Sequence, residues 1–499
     1  MNTIRKQSII SSIIVYIGFA LGFLNTYLFT RQGGLTAAQY GLTNTFVAIA
    51  SIIFSIAGLG MPAYIGKFFP YYKAHLDVKK NDQLAWALLV SCTGFAIVAI
   101  LGVLLKPILI DRVFANSPEL PQYYYWMLVF SLGYTIYMVL EMYSWQHQKA
   151  ILTNFLKEIS VRLFVTILLI AASFGWIKQF DAFIGIYSFS YITTAIILIV
   201  YLLRKNKFYL TFTISRVTRR LFKKMLPFVS FIWGSGMVLN IASVFDGIII
   251  AAVLPNGMAS AGIYYLAQTI SSLMQAPQRA IISASVGPIA QAWKEKDYGR
   301  LNRIYQRSSI NQLLFSIAMF CLIWLNFDDG IHTFQLQEKY TAAKWIFFYI
   351  GLAKIVDMGT GLNAQIIATS NFWRFEFLTG IFLLLFTLPM NYEITRHLGN
   401  IGPAISNLIT FTIYNAIRYT FLLRKFKMQP FNAKTAVIIL IAAMLFGLCY
   451  LLFNNKQGFI WIVLRSSVFT GLFIASVLVL KISPDIIPVW QTLKKKIKA

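Results

Sequence analysis

The sequence predicts an all-α polytopic membrane protein of about fourteen transmembrane helices. Three observations carry that prediction. The 499-residue chain is 58% hydrophobic and only 12% charged, with a mean hydropathy of +0.67, more apolar surface than a soluble fold of this size can hide. Apolar runs long enough to cross a ~30 Å hydrocarbon core recur from end to end. Between them the loops are short, and their Lys/Arg content alternates from one loop to the next.

Arg5 and Lys6 precede the first apolar run, Ser8 to Thr30. That run is too long for a signal-peptide core and no A-x-A-like site follows it, so it reads as a retained first span. Five further spans fall near 41–62, 83–105, 122–141, 158–177 and 182–203. After a basic stretch, six more fall near 228–254, 259–283, 310–326, 342–362, 375–392 and 401–423, and two last ones near 435–453 and 458–480. The expected organisation is an N-terminal six-helix bundle (1–203), a basic cytoplasmic amphipathic connector (204–226), a C-terminal six-helix bundle (227–424), and two additional helices with a basic tail (425–499).

Loop charge orients the chain. The N-terminus, 63–82, 142–157, 204–226, 284–309, 424–434 and the C-terminal LKKKIKA hold roughly thirty Lys/Arg against about seven on the other side, which places both termini in the cytoplasm. The loop 327–341 instead carries Asp328, Asp329 and Glu338 against Lys339. A net charge of +27 would suggest nucleic acid in a soluble protein; here positive-inside bias and contact with anionic membrane lipids account for it, and no nucleic-acid partner is expected. Cys92, Cys321 and Cys449 all lie in apolar runs and read as small buried hydrophobes, not as a disulfide or metal framework.

Two segments echo each other. GGLTAAQYGLTNTFVAIASIIFSI (33–56) and NGMASAGIYYLAQTISSLMQA (256–276) each pass from a Gly-containing turn through small polar residues to a glycine, Gly41 or Gly262, that opens an apolar helix. With six spans before the connector and six after, the halves read as parallel repeats related by a pseudo-two-fold axis along the membrane normal, an architecture of transporters. Gly18 and Gly22 form a G-x-x-x-G spacing suited to close helix approach. The aromatic cluster QYYYWMLVF (122–130) reads as an interfacial belt before it reads as a sugar-stacking surface.

These residues resemble the polysaccharide-export flippases of the multidrug/oligosaccharidyl-lipid/polysaccharide exporter superfamily. The resemblance rests on GGLTAAQYGL after the first span, FDGIIIAAVL and AGIYYLAQTI through the seventh and eighth, VGPIAQAWKEKDYGRLNRIYQRSS into the ninth, and IVDMGTGLNAQIIATSNFWRF out of the tenth. It implies a multi-pass protein of the bacterial inner membrane that moves undecaprenyl-diphosphate-linked oligosaccharide from the inner to the outer leaflet by alternating access. The product would feed O-antigen, capsule or exopolysaccharide assembly, with a polysaccharide polymerase and export machinery as partners. The related lipid II flippases carry arginines within the first span, whereas this chain has none between Ser8 and Thr30. The alternatives within the superfamily are a lipid II flippase and a cation-coupled multidrug exporter.

A lipid-linked sugar diphosphate needs a polar central cavity with cations for its phosphates. The deepest cations in the expected spans are Arg162, Arg279, Lys354 and Arg418, with Pro277 just before Arg279 to disturb the helix. Taken singly each can snorkel to the interface; a lipid-facing set would be costly. Asp246, inside ASVFDGIIIAAVL (242–254), costs about 2.5–3.5 kcal/mol at mid-membrane depth, so it either pairs with a cavity cation or binds Na⁺ or H⁺ as a coupling ion. Asp357 is a second acid of this kind, with Lys354 as its i,i+3 partner, while Glu141 and Glu158 are expected on solvated or interfacial faces. No cofactor beyond such an ion is expected.

An integral membrane enzyme, a polyprenyl-dependent glycosyltransferase or polymerase, is the rival from another class. It would need a large extracytoplasmic loop or a carboxylate cluster, for which Asp328–Asp329 is the candidate. His75, His147, His332 and His397 show no H-E-x-x-H spacing, and no G-x-x-x-x-G-K-[ST] is present for ATP.

Overall fold

A computed structural model describes residues 3–454 and 456–483; the basic LKKKIKA tail lies outside them. All the regular elements described are helical. Among the described residues, ten helical stretches are long and apolar enough to cross a membrane by length and composition. The difference from the expected fourteen has two sources. The spans expected at 158–177, 259–283 and 342–362 are interrupted helices whose pieces fall short in length or apolar character: Phe155–Ser160 with Val161–Ser173, Gly257–Ser272 with Ala276–Lys294, and Ala343–Gly359 with Asn363–Ala368. Those at 375–392 and 401–423 are the helices Trp373–Leu398 and Gly402–Phe426, which fall in one continuous apolar stretch.

Helix starts follow local capping chemistry. Thr36 and Gln39 form a reciprocal capping box at the head of Ala37–Ala57, as do Asn432 and Thr435 for Ala433–Leu452. Ser215 caps Arg216–Val253 through the Thr218 amide, and Asp297 caps Tyr298–Thr333 through Arg300. At 38 residues, Arg216–Val253 is about 57 Å long, well beyond the bilayer core. The second part of the expected connector is therefore the first turns of the seventh-span helix and not a separate amphipathic element. Buried Asp82 holds that helix start: its Oδ2 accepts from the Ser215 amide at 2.8 Å and the Thr218 hydroxyl at 2.7 Å. A carboxylate suits that place, because it faces the positive end of the helix.

The chain folds as two compact units, Met1–Gly262 and Ile263–Ala499. In the first, Tyr124–Gln146 is central and packs on 190–204, 37–57, 83–104 and 61–75. Its core is aromatic: Phe130 stacks on Tyr187 at 5.3 Å and meets Phe46 and Tyr191 edge-on. The expected aromatic belt is thus only half a belt. Tyr125 and Trp126 face outward, whereas Tyr124 and Phe130 are buried, because successive residues of a helix point about 100° apart.

Close backbone approach occurs where the glycines stand. A Cβ on Gly18 would lie 2.8 Å from both the Cβ and the carbonyl oxygen of Glu158, and one on Gly22 would lie 3.0 Å from Nη1 of Arg162. Gly41 and Gly262, the matched glycines of the two echoing segments, meet each other. A Cβ on Gly41 would come 2.9 Å from the Gly262 nitrogen, and one on Gly262 would come 3.1 Å from the Gly41 nitrogen. Neither opens its helix as expected; the helices begin at Ala37 and Gly257, and the glycines sit in the next turn. Gly18→Ala is expected to lower stability by about 1–3 kcal/mol through overpacking. Gly287→Ala, with open space around it, should be neutral or slightly stabilising. Thermal melting of the two variants in the same detergent checks the pair, and equal melting would refute the close contact at Gly18.

In the second unit Tyr298–Thr333 is central. Ile310, Leu314, Ile317 and Cys321 pack against Ile438, Cys449, Phe469 and Phe473 of the last two helices. A second cluster joins Ile289, Leu301, Tyr305, Ile366 and Leu422. Cys321 and Cys449 are buried and Cys92 half-buried, and all three are free thiols, consistent with their reading as small hydrophobes.

Candidate functional site

Two helix breaks in the second unit assemble a polar cluster. The first follows from Pro277, which cannot donate a backbone hydrogen bond. The chain turns through Leu273–Gln275 and restarts at Ala276, so Gln275, Gln278 and Arg279 gather around the break. The second lies at Thr360–Leu362, where Gly361 takes φ +68°. Broken backbone inside a membrane is tolerated only where other groups satisfy it. Here the Thr360 hydroxyl donates to the Asp357 carbonyl at 2.8 Å, and Ser309 donates to that of Gly359.

Side chains then tie the breaks together. The Lys354 ammonium donates to Gln275 Oε1 at 2.5 Å. The Asp357 carboxylate accepts from Gln278 Nε2 at 3.0 Å and Asn415 Nδ2 at 3.2 Å. Asn415 Oδ1 in turn accepts from the Thr360 hydroxyl and Asn363 Nδ2, both at 2.8 Å. Lys354 and Asp357 were expected to pair with each other; instead each turns to an amide, since i,i+3 spacing permits a pair without imposing one. Arg279 is exposed and directly follows Gln278 in the chain. Lys354 and Arg279 give this part of the unit two cationic groups of the kind that binds phosphate oxygens.

Arg418, one turn beyond Asn415, is committed elsewhere. Its Nε donates to Glu376 Oε2 at 3.0 Å, its Nη2 donates to Oε1, and its guanidinium lies 3.5 Å from the Tyr414 ring centroid. Both members of this fork are largely buried, and Tyr414 also donates to Glu376 at 3.1 Å. Arg162 lies in the first unit, 2.9 Å from Glu158 and donating to the Gly18 carbonyl. Asn25 and Thr166 complete that contact, with Asn25 Nδ2 on the Arg162 carbonyl at 2.8 Å and Thr166 on Asn25 Oδ1 at 2.6 Å. Asp246 is buried, in the same unit. Of the four expected cations, Lys354 stands in the polar cluster, and Arg279 directly follows Gln278, which donates to Asp357.

Two acids need correction. Glu141 is not on a solvated or interfacial face: it is 3% exposed, 3.3 Å from the Lys157 ammonium, because its helix is the central one of its unit. Asp329 is not in a solvated loop either. The 298–333 helix runs through it, and its carboxylate lies 3.6 Å from Arg465, both side chains buried. It also accepts from Thr333 at 2.9 Å and the Gly458 amide at 2.8 Å. Asp328 pairs with Lys344, so the two neighbouring acids serve separate partners. Sequence reading missed Arg465, Glu376, Gln275, Gln278 and Asn415. The two glutamines did leave a signal, flanking Pro277 within an apolar run.

Comparison with known proteins agrees with this architecture. A family model described as polysaccharide biosynthesis protein matches residues 4–293, more than half of the chain. No curated protein sequence matches. Among solved structures, the lipid II flippase MurJ in its inward closed conformation aligns at TM-score 0.75 and 14% identity, covering 96% of this chain and 100% of that one. An inward-facing multidrug resistance MATE family transporter of the MOP superfamily aligns at 0.63 and 16%, covering 82% and 94%. The Vibrio cholerae MATE transporter VcmN aligns at 0.51 and 16%, covering 84% and 96%. At such identities the likeness establishes the fold. The chain therefore belongs to the polysaccharide biosynthesis protein family and carries the multi-pass helical fold of MOP-superfamily flippases and transporters.

Proposed function

We propose that the protein is a flippase that carries undecaprenyl-diphosphate-linked oligosaccharide from the inner to the outer leaflet of the bacterial inner membrane. It opens alternately to each side and feeds O-antigen, capsule or exopolysaccharide assembly. The observation that carries this reading is the polar cluster at two helix breaks, which bears Lys354, with Arg279 beside it in the chain, as groups for the diphosphate. Discontinuous helices are where transporters of many folds place their polar ligands. An exporter of cationic drugs would call for the opposite charge balance.

The membrane potential supplies drive in this scheme. Moving negative charge outward across an inside-negative membrane is favourable by about 2.3 kcal/mol per charge per 100 mV. Asp246 and Asp357 are the positions at which Na⁺ or H⁺ would couple to the cycle.

Reconstitution into liposomes with labelled polyprenyl-diphosphate oligosaccharide tests the reading, scored by exposure of the label to an enzyme present outside only. Label must become accessible faster than in protein-free vesicles, and lipid II offered in parallel should be carried poorly. No acceleration, or a preference for lipid II, would reject the proposal. Asp246→Asn is expected to blunt any response to an imposed Na⁺ or H⁺ gradient; an identical response in both proteins leaves Asp246 a structural residue.

A further inference from the structure

Away from the polar cluster, the second unit holds two adjoining concavities at the basic end of the 402–426 helix. The first has a volume of about 660 Å³, with walls from Phe375, Ile413, Ala416, Ile417 and Phe421 and with Arg424 and Lys425 at one end. Ile413 and Ala416 are exposed, so this wall is apolar, open and on a membrane-spanning stretch. The second, about 420 Å³, is lined by Lys294, Lys296, Thr369, Ser370 and Asn371. Phe372 stands between the two. Its ring centroid is 5.6 Å from that of Phe421 and 5.8 Å from that of Phe426, and the Lys425 ammonium lies 5.4 Å from it.

Each half of this site selects for one part of an amphiphile. An apolar trough facing the bilayer interior has nothing to offer a soluble ion. Conversely, four cations and a row of hydroxyl and amide groups have nothing to offer a neutral hydrocarbon. Both volumes fall within the range of ordinary ligand pockets. Arginine presents a fork that fits phosphate oxygens, and lysine adds a point charge. The exposed Asn371 side chain offers an amide to a polyol, while the Thr369 and Ser370 hydroxyls already donate to the Gln365 and Ile367 carbonyls.

We propose that these concavities bind one anionic phospholipid of the surrounding bilayer. An acyl chain lies along Ile413, Ala416 and Phe421, the phosphate sits between Arg424 and Lys425, and the glycerol headgroup reaches the pocket beyond Phe372. The same helix contributes Asn415 and Arg418 to the interior of the unit, so a bound lipid braces the helix that closes the polar cluster.

The test uses the full-length protein, exchanged into nanodiscs containing equal amounts of phosphatidylglycerol and phosphatidylcholine with identical acyl chains. Native mass spectrometry then reads the lipid that stays bound. One phosphatidylglycerol is expected to be retained in clear preference to phosphatidylcholine. Arg424→Gln with Lys425→Gln should cut that preference by about tenfold or more, each cation being worth roughly 1 kcal/mol toward an anionic lipid. Ala416→Trp, which fills the trough from an exposed position, should abolish retention without shifting the melting temperature. Three results would overturn the proposal: equal retention of both lipids by the unaltered protein, retention of phosphatidylglycerol unchanged in both variants, or its displacement by equimolar undecaprenyl phosphate, which would assign the trough to an isoprenoid anchor.

Discussion

Glu376→Ala is expected to destabilise the protein by about 3–5 kcal/mol, because it strands the buried Arg418 guanidinium without a counter-charge. The cost lies in the charge left behind, so removing both partners should recover most of it. Glu376→Leu with Arg418→Met replaces the fork by apolar groups of similar bulk, a change that is often neutral for buried pairs. Chemical or thermal unfolding in one detergent measures both. The same double variant decides the role of Arg418. If the arginine only closes the 373–398 and 402–426 helices together, transport returns along with stability. If it also holds substrate, the variant folds well and carries nothing.

Lys354→Gln and Arg279→Gln should have the largest effect on transport itself. A hydrogen bond to an ionised group contributes about 1.5–3 kcal/mol, so each change is expected to slow flipping by about 10- to 150-fold. The double variant should fall to the protein-free background while expressing normally. Lys354→Arg, which keeps the charge, should retain part of the activity; Gln275 would still accept from it. Transport at the normal rate in a well-expressed double variant would remove these two cations from the substrate path. Stability should change little at Arg279, which is exposed, so a large loss of folding there would point to a structural role instead.

Much of this was legible without coordinates. Apolar run length and composition are properties of the chain itself, and they settle the solvent in which it folds. Pro277 announces a helix break by removing a backbone donor, and the break occurs there. Gly18 and Gly22 announce a close contact by lacking side chains, and the contact is made with Glu158 and Arg162. Other features were hidden. Nothing near Arg418 in the sequence names Glu376, 42 residues earlier, and nothing near Asp329 names Arg465, 136 residues later. Glu141 looks like a span-end acid until the helix bearing it turns out to be the centre of its unit. Lys354 and Asp357 have the spacing of an ion pair, yet amides from other helices reach each of them first.

The sequence by itself determined that this is a helical membrane protein, where its apolar helices lie, and that Pro277 disturbs one of them. These are local consequences of hydropathy, proline and glycine, which act over a few residues. Which cations stay available and which are neutralised was decided only by the tertiary structure. A charge buried in a bundle takes its partner from whichever helix packs beside it, and that choice is made by side-chain fit across the whole unit. Arg418 and Arg465 are thereby tied to carboxylates, while the Lys354 ammonium is held by the neutral amide of Gln275.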